Sequence, residues 1–324
     1  MKRELWKWML PLCLWGVLAT GCSSDNDEPK PTLADAYIHK VFEFKPAVGQ
    51  FVNEMPLATV RDTEETMLLK AEKAIKGHGV NREGISLGGF GGSVVFGFKN
   101  RVKNVPGFCD FRVEGNAIEN ASEPGVIWVM EDTNGNGLPD DVWYQIRGSE
   151  YANAIQNYEI TYYRPTNLLS REAEDGDNFI HQKEYIRWED NQGNSGYKVM
   201  NTFHTQSYFP YWVKEDKLVL KGTLLPKNSK QVTPPAGFED SPQYWVQKPF
   251  GYGYADNYPN GDKGSAIAID WAVDAEGKPV HLDGIDFVKV VSGVNQEAGW
   301  LGEVSTEVLG ACDLHLLGIE IASE

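Results

Sequence analysis

Short apolar runs bounded by Gly, Pro, Asn or Asp recur along most of this chain, and they limit its fold more than any other feature. Runs of this length between turn residues are typical of β-strands. In 267–271 and 285–290, apolar and polar residues partly alternate, as in a sheet with one face in water. The predicted strands span residues 93–98, 126–130, 142–146, 158–163, 218–220, 267–271, 285–291 and 316–321.

The sequence signals one helix, which we predict at residues 63–76. Asp62 is the predicted N-cap, with Glu65 as its capping-box partner. Gly77 and Gly79 end the helical pattern. The apolar residues at helical spacing are Met67, Leu68, Ala71 and Ile75. One helix among many short strands predicts a mostly-β fold, an antiparallel β-sandwich of jelly-roll-like form.

Residues 1–21 have the pattern of a secretory signal peptide. A positively charged start leads into an apolar run at 8–18, which is too short to span a bilayer. The next residues, Leu18-Ala19-Thr20-Gly21-Cys22, match a bacterial lipobox, which predicts cleavage before Cys22 and lipidation of that cysteine. The alternative is an ordinary signal peptide followed by a chance cysteine. In the lipoprotein interpretation, the lipid is the only membrane anchor.

Residues 22–34 form a predicted linker between the anchor and the body. The acidic stretch at 23–28 resembles the tag that follows the lipidated cysteine in Bacteroidetes lipoproteins exported to the cell surface. Pro29 and Pro31 stiffen the segment. No break in composition divides the remainder, so we predict one ligand-binding domain at 35–324.

The formal charge of the chain is −16, from 30 basic and 46 acidic residues. Removal of the signal takes away three basic residues and one acidic residue, which leaves −18 for the mature protein. Nucleic-acid-binding proteins usually carry a basic stripe, and anionic lipid attracts basic segments. The charge therefore argues against both partners and against any membrane contact besides the lipid anchor.

The segment 131–141 carries the strongest chemical motif. Asp132, Asn134 and Asn136 alternate as at positions 1, 3 and 5 of an EF-hand loop, and Gly137 follows where the backbone must turn. Position 12 is a tryptophan, so Asp140 or Asp141 would have to supply the remaining carboxylate. We predict a structural calcium site at a β-hairpin tip, with the alternative of an Asx-rich turn without metal.

Other motifs are weaker. The segment 256–262 is a faint echo of the calcium pattern, for which a polar turn is an equal alternative. The Gly-rich segment 88–92 lacks the ending of a phosphate-binding loop and predicts close backbone packing or a bulge. Cys109 and Cys312 are either a disulfide or two buried thiols. The histidines show no metal-ligand spacing and no Gly-x-Ser-x-Gly elbow occurs, so we assign no catalytic residue.

Aromatic residues are concentrated at 204–258, where they make up 11 of 55 residues, or 20%, against 12% for the whole chain. Aromatic side chains on loops suit a flat apolar ligand, a sugar ring or a protein partner. The alternative is that the rings cover the edge of a core. The predicted ligand-binding residues are Tyr208, Tyr211, Trp212, Trp245, Tyr252 and Tyr254.

Several long motifs are found at 87–98, 110–117, 122–125, 132–144, 148–151, 160–165 and 298–303. Over roughly residues 85–310, these motifs together resemble Bacteroidetes "cell surface protein" lipoproteins. Members of that family are often encoded beside vitamin B12 uptake genes, and some are similar to surface lipoproteins that bind corrinoids. The resemblance implies a protein at the cell surface that captures a corrinoid for a TonB-dependent outer-membrane transporter. It identifies no residue that contacts the corrinoid.

We therefore expect a non-enzymatic, lipid-anchored protein at the outer surface of the outer membrane that binds a corrinoid and carries a structural calcium site. The first alternative is a carbohydrate-binding lipoprotein, in which aromatic platforms meet sugar rings. A glycan hydrolase is the third hypothesis. It would require two placed carboxylates, which the sequence does not locate.

Overall fold

Strands dominate the computed structural model, which describes residues 30–77, 83–166, 179–237 and 243–323. The strands are β1 (Lys40–Lys45), β2 (Ile85–Ser86), β3 (Ser93–Lys103), β4 (Phe111–Glu114), β5 (Gly125–Met130), β6 (Tyr144–Ile146), β7 (Ile155–Tyr163), β8 (Ile180–Asp190), β9 (Ser195–Asn201), β10 (Lys217–Leu224), β11 (Ser229–Val232), β12 (Tyr244–Gln247), β13 (Tyr254–Ala255), β14 (Ala266–Ile267), β15 (Ala272–Val273), β16 (Gly284–Ser292), β17 (Glu307–Val308) and β18 (Gly310–Asp313). The α-helix is α1 (Glu64–Ile75). Short 3₁₀ turns lie at Leu33–Ala36, Tyr151–Asn153, Lys263–Ser265, Ile269–Trp271 and Gly299–Leu301.

The larger sheet has the strand order β1-β3-β16-β5-β6-β15, with β13 also paired to β5. Its strand pairs are all antiparallel. Helix α1 contributes Met67, Ala71 and Ile75 to the core on this sheet, each fully buried. The Val41 amide of β1 donates to Glu72 Oε2 at 3.0 Å and ties the helix to the sheet edge.

A second antiparallel sheet has the order β10-β7-β8-β9. Along β7, Tyr158, Ile160 and Tyr162 are buried on one face, while the alternating side chains are partly exposed. The buried face packs on Phe90, whose ring lies edge-on to Tyr158 at 4.9 Å. The protein is therefore mostly β and sandwich-like, as the sequence predicts.

The helix differs from the prediction in its cap. Thr63 is the N-cap, and its hydroxyl accepts from the Thr66 amide at 3.3 Å while the Thr66 hydroxyl accepts from the Thr63 amide at 2.8 Å. Asp62 instead accepts from the Thr66 hydroxyl at 3.0 Å and pairs with Lys70 at 2.8 Å. The predicted capping box of Asp62 with Glu65 was wrong because the threonine pair satisfies the first amides.

The Gly-rich segment 88–92 packs directly against backbone, which confirms the prediction of close packing. Gly88 has φ +68°, and a Cβ there would lie 2.9 Å from the carbonyl oxygen of Val48. A Cβ on Gly92 would lie 1.8 Å from the carbonyl oxygen of Leu87. Real side chains cannot occupy either space, so glycine is required where this segment enters β3.

Most predicted strands form, but the one at 316–321 was wrong. This segment is a turn in which the Gly318 amide donates to the carbonyl of His315 at 3.0 Å, with φ +70° at Gly318. Its apolar side chains pack on a small core instead of pairing in a sheet. Within 267–271, only Ile267 is in a strand, and a 3₁₀ turn follows it.

Residues 31–324 form one compact unit. The predicted signal, Cys22 and residues 22–29 of the predicted linker lie outside the described residues. Cys109 and Cys312 are both buried and form no disulfide with each other, and burial raises the pKa of Cys109 to about 11. Within the described residues, every helix is too short or too polar to cross a bilayer.

Candidate calcium loop and ligand-binding surfaces

The predicted calcium loop joins β5 to β6, which pair antiparallel, so the loop closes a β-hairpin as predicted. Its base is clamped to the large sheet. Arg101 of β3 pairs with Glu131 and, at 2.8 Å, with Asp286 of β16. The Asp132 amide also donates to Asp286 Oδ2 at 2.8 Å. The hairpin tip therefore projects from a fixed base.

Within the loop, the backbone folds around the carboxylate of Asp132. Oδ1 accepts from the amides of Gly135 at 2.8 Å and Asn136 at 3.2 Å, and Oδ2 accepts from Gly137 at 2.8 Å. Gly135 and Gly137 have φ +70° and +72°, the left-handed region that glycine adopts readily. Asp132 thus sets the turn on which the other predicted ligands are carried.

The structure brings together the ends of Asn134, Asn136 and Asp140. The Asp140 carboxylate lies 2.9 Å from the Asn134 amide group and 3.0 Å from that of Asn136. These contacts lower the pKa of Asp140, so it is ionised at neutral pH. Oxygens around one Ca²⁺ at 2.3–2.6 Å lie about 3 Å apart, and rotation of either amide would turn its oxygen inward. As placed, both amide oxygens accept from the backbone, from the Asn136 amide at 3.0 Å and from the Leu138 amide at 2.8 Å, so a hard cation would require both amide groups to rotate.

Asp141 contacts the loop backbone, including the Asn134 amide, which donates to its Oδ2 at 3.5 Å. Its carboxylate accepts from the Thr133 hydroxyl and from the Thr133 amide at 3.1 Å. Of the five predicted ligands, the geometry groups Asn134, Asn136 and Asp140, makes Asp132 the support of the turn, and uses Asp141 to close the loop.

Three of the six aromatic residues predicted to contact ligand lie in hydrophobic cores. Tyr208, Trp212 and Tyr254 are 0%, 4% and 2% exposed. Trp212 stacks on Phe44 with a centroid separation of 6.2 Å. Rings buried to this extent present no face to a ligand, so the alternative that they cover a core edge describes these three.

The other three predicted rings are nearer the surface. Tyr211 and Trp245 are partly buried against the cores. Tyr252 is 43% exposed and packs against Trp271 at 4.8 Å between centroids. The structure does not gather these residues into one aromatic platform with the buried ones.

A different set of rings is grouped at the surface. Phe179, Phe203 and Trp300, here called the ring cluster, have centroids 6.3, 5.7 and 5.7 Å apart. Phe203 is 58% exposed, and the other two are partly exposed. The Trp300 indole donates to the carbonyl of Gln243 at 3.0 Å, which fixes the ring. Large apolar side chains grouped and exposed in this way mark binding surfaces.

Two elements present the ring cluster. Strand pairing between β8 and β9 sets Ile180 opposite Asn201, which brings Phe179 beside the segment that carries Phe203. Trp300 lies at the tip of a loop closed by a bridge between Glu297 and Glu303. The sequence signal for Trp300 was the motif at 298–303, whereas the aromatic-rich window begins one residue after Phe203.

The side chain of Trp245 packs against the backbone of this loop. Gly299 has φ +58°, and a Cβ there would lie 2.1 Å from the Trp245 indole nitrogen. The predicted ligand-binding residue Trp245 therefore packs against the backbone that carries Trp300.

A second surface feature lies along the exposed side of the four-stranded sheet. It is a groove of about 580 Å³. Arg187 lies over the ring of Tyr163 at 4.6 Å and pairs with Glu189 at 2.6 Å. The lining includes Tyr163, Arg164, Glu184, Arg187, Tyr197 and Asp216. Tyrosine faces among charged groups offer both stacking and hydrogen bonds, which suits a sugar.

Three carboxylates lie close together, with Asp256 and Glu307 buried and Glu123 partly buried, a grouping that sequence reasoning missed because its members are far apart in the chain. Ligand atoms of Glu123, Asp256 and Glu307 lie within 4.8 Å of one another. Asp256 already accepts from the amides of Ala117 at 2.8 Å and Glu307 at 2.9 Å. Burial, then mutual repulsion, raises the pKa of Glu123 and Asp256, and burial raises that of Glu307. Protons therefore neutralise part of this group.

In the weaker echo at 256–262, Asp256 belongs to this carboxylate group, whereas Asn260 and Asp262 make contacts typical of a polar turn. Asn260 exchanges two hydrogen bonds with the backbone of Gly115, at 2.9 and 3.0 Å. Asp262 accepts from the Gly264 amide at 2.8 Å. These side chains are used to hold neighbouring backbone.

A comparison with models of known protein families finds no match, and a comparison with curated proteins finds no relative.

Proposed function

We propose that this chain is a lipid-anchored cell-surface protein that binds a corrinoid through the ring cluster and delivers it to an outer-membrane transporter. The observation that carries the proposal is the grouping of Phe179, Phe203 and Trp300 at the surface, with centroids no more than 6.3 Å apart. The motifs that resemble Bacteroidetes surface lipoproteins supply the class of ligand.

The ring cluster and a corrinoid have compatible surface chemistry. A corrin is a macrocycle whose rim carries methyl groups and amide side chains and whose cobalt holds axial ligands above and below the ring. Aromatic side chains can pack on the apolar parts of such a molecule, and a rigid aromatic side chain loses little conformational entropy when it binds. The carbonyl of Gln243 already accepts the indole proton of Trp300, so the ring is held in place before the ligand arrives.

The remaining features have supporting roles in this proposal. The lipidated Cys22 tethers the protein, and the linker holds the body away from the membrane. Calcium bound by the β5–β6 loop stiffens a hairpin whose base Arg101 clamps to the sheet. The protein binds and transfers its ligand without changing it, so we assign no catalytic residue.

Calorimetry of residues 31–324 with cyanocobalamin tests the proposal. We expect binding at micromolar concentration, and a loss of affinity of tenfold or more in Trp300→Ala and Phe203→Ala, because each removes a stacking face worth about 1–3 kcal/mol. Tyr252→Ala is the matched control, since Tyr252 is also an exposed ring but lies outside the ring cluster. Absence of heat at micromolar protein and ligand would refute corrinoid binding.

A second candidate function is carbohydrate binding, favoured by the groove on the four-stranded sheet. Tyr197 is 41% exposed there, beside the stacked pair of Arg187 and Tyr163. A glycan array distinguishes the candidates. Glycan binding lost in Tyr197→Ala and kept in Trp300→Ala would establish the groove as a sugar site, and the reverse pattern with cyanocobalamin would establish the ring cluster.

A further inference from the structure

The base of the loop that carries Trp300 contains buried titratable side chains. Its two ends, Glu297 and Glu303, lie opposite each other in an antiparallel bridge. Glu303 is 2% exposed. The Glu297 side chain is 24% exposed, yet both of its carboxylate oxygens are buried. Facing them is Lys198 of β9, 2% exposed, with Nζ 3.5 Å from Glu297 Oε1.

The two ends of the loop are held differently. Glu303 Oε1 accepts from the Gln50 amide at 2.7 Å, and Gln50 Nε2 donates to the carbonyl of Leu301 at 3.1 Å. Among the described residues, neither carboxylate oxygen of Glu297 nor Glu303 Oε2 has a hydrogen bond of ordinary geometry, although Lys198 and the Val199 amide both act on Glu297. Ionised carboxylate oxygens buried without donors are costly, whereas a protonated carboxyl brings a donor of its own.

Burial raises the pKa of Glu297 to about 7, although Lys198 and the Val199 amide oppose the shift. Burial, then Glu297 and more weakly Glu307, raise the pKa of Glu303 well above its ordinary range, so the Glu303 carboxyl also favours its protonated form. The phenols that face this group, Tyr162 and Tyr208, also have raised pKa values through burial and remain neutral. Glu297 is therefore the member of the group that changes charge near neutrality.

We propose that Glu297 and Glu303 form a proton-dependent latch at the base of the Trp300 loop: a proton on Glu297 keeps the loop closed and the ring cluster assembled, and loss of that proton favours opening. The reason is desolvation. An ionised Glu297 is solvated when the loop opens but buried when it closes, and a lysine at 3.5 Å offsets only part of that difference.

The direction follows from linkage. The closed loop binds the proton of Glu297 more strongly than an open, solvated loop, whose carboxyl has the ordinary pKa of about 4.5. Opening therefore becomes easier as pH rises from about 4.5 to 7 and levels off above that. This part of the proposal needs no ligand. Its consequence, weaker ligand binding at pH 7.5 than at pH 5, rests on the proposed function.

Hydrogen exchange of residues 298–302 in the ligand-free protein tests the latch. After correction for the intrinsic pH dependence of exchange, we expect protection to fall tenfold or more between pH 5 and pH 7.5. Glu297→Gln, which keeps the neutral form, should retain high protection at both pH values. Glu303→Gln is the matched control and should keep the pH dependence. Unchanged protection in the native protein, or the opposite direction, would refute the latch.

A measurement on the unaltered protein avoids reliance on variants that fail to fold. Carbon-13 NMR of the Glu297 carboxyl should show a titration step near pH 7, and absence of a step between pH 5.5 and 8.5 would refute the latch. The two proposals can fail separately. If Glu297 titrates but the protein binds no corrinoid, only the proposed function is refuted. If the protein binds a corrinoid independently of pH and Glu297 does not titrate, only the latch is refuted.

Discussion

Trp300 and Phe203 lie with their ring centroids 5.7 Å apart, although distant parts of the chain carry them. Phe203 follows β9, and Trp300 stands on a loop whose base contacts β9 through Lys198 and Glu297. The same strand thus positions one ring directly and the other through a buried charged contact. This arrangement makes the ring cluster the surface on which we place ligand binding.

The first prediction concerns calcium. Ca²⁺ should raise the melting temperature of the protein and a chelator should lower it, because a ligand that binds only the folded state stabilises it by about 2.7 kcal/mol at 100 times its Kd. Asp140→Ala should abolish this response, since Asn134 and Asn136 both meet Asp140. Differential scanning fluorimetry measures the shift. Glu276→Ala, an exposed acidic residue elsewhere, is the control.

A full calcium response in Asp140→Ala would show that this loop is not the stabilising calcium site. In that case Glu307→Gln becomes the informative variant, because Glu307 belongs to the carboxylate group at 4.8 Å or less from its neighbours.

A second prediction separates structure from binding at Trp212. This side chain is 4% exposed and stacks on Phe44, so Trp212→Ala should lower the free energy of unfolding by about 3–5 kcal/mol through loss of burial and an unfilled cavity. Urea denaturation measures the loss. Tyr252→Ala should cost about 1 kcal/mol or less because that ring is 43% exposed. Equal stabilities for the two variants would contradict the placement of Trp212 in the core.

The Gly-rich segment supports a third prediction. Gly92→Ala should prevent folding or destabilise the protein strongly, because its Cβ would lie 1.8 Å from the Leu87 carbonyl oxygen and 2.6 Å from the Ala47 nitrogen, both of them backbone atoms. Gly261→Ala is the matched control, since nothing lies within 4 Å of a Cβ there. Soluble expression and thermal melting of the two variants test this prediction. A Gly92→Ala protein with the same melting temperature as the native protein would show that the backbone can move to accommodate the Cβ.

A fourth prediction concerns pH. The carboxyls of Glu123, Asp256, Glu297, Glu303 and Glu307 all have raised pKa values in the folded protein. An acid of this kind stabilises the fold below its unfolded pKa of about 4.5, and that stability is lost as pH rises through the folded pKa. Between pH 5 and pH 8 the free energy of unfolding should therefore fall.

The pKa of about 7 at Glu297 corresponds to a loss of up to about 3 kcal/mol from this residue alone. Urea denaturation at pH 5, 6.5 and 8 measures the trend, and Glu297→Gln should reduce its slope. Stability that stays constant or increases over this range would contradict the prediction, because carboxyls that are ionised in both the folded and the unfolded state contribute no pH dependence.

The strands were predictable because their signal is local. Gly, Pro, Asn and Asp bound each run, and β3, β5, β7 and β16 form where the runs stand. The prediction for 316–321 was wrong for a tertiary reason: its apolar side chains pack on the core around Cys109 and Cys312, and its backbone is held by a turn and by an isolated bridge next to Ile321 instead of by a strand ladder. An apolar run records that side chains are buried, but not how their backbone is paired.

The loop around Asp132 could be located from the sequence because all its residues lie within one hairpin. The ring cluster could not, because it combines Phe179, Phe203 and Trp300 from separate segments, and an aromatic count along the chain selects buried rings such as Tyr208 as readily as exposed ones. Local composition reports hydrophobicity, whereas exposure depends on what the rest of the chain places on top.

The sequence by itself therefore determined the class of fold, the Gly-rich packing and the loop around Asp132, since each depends on residues near in the chain and on backbone conformation. The tertiary structure alone decided which rings face solvent and which carboxylates meet in the interior. Glu297, Glu303 and Lys198 acquire their chemistry from burial against one another. Burial is a property of the packed molecule, because water is removed from a charged group only when distant segments close over it.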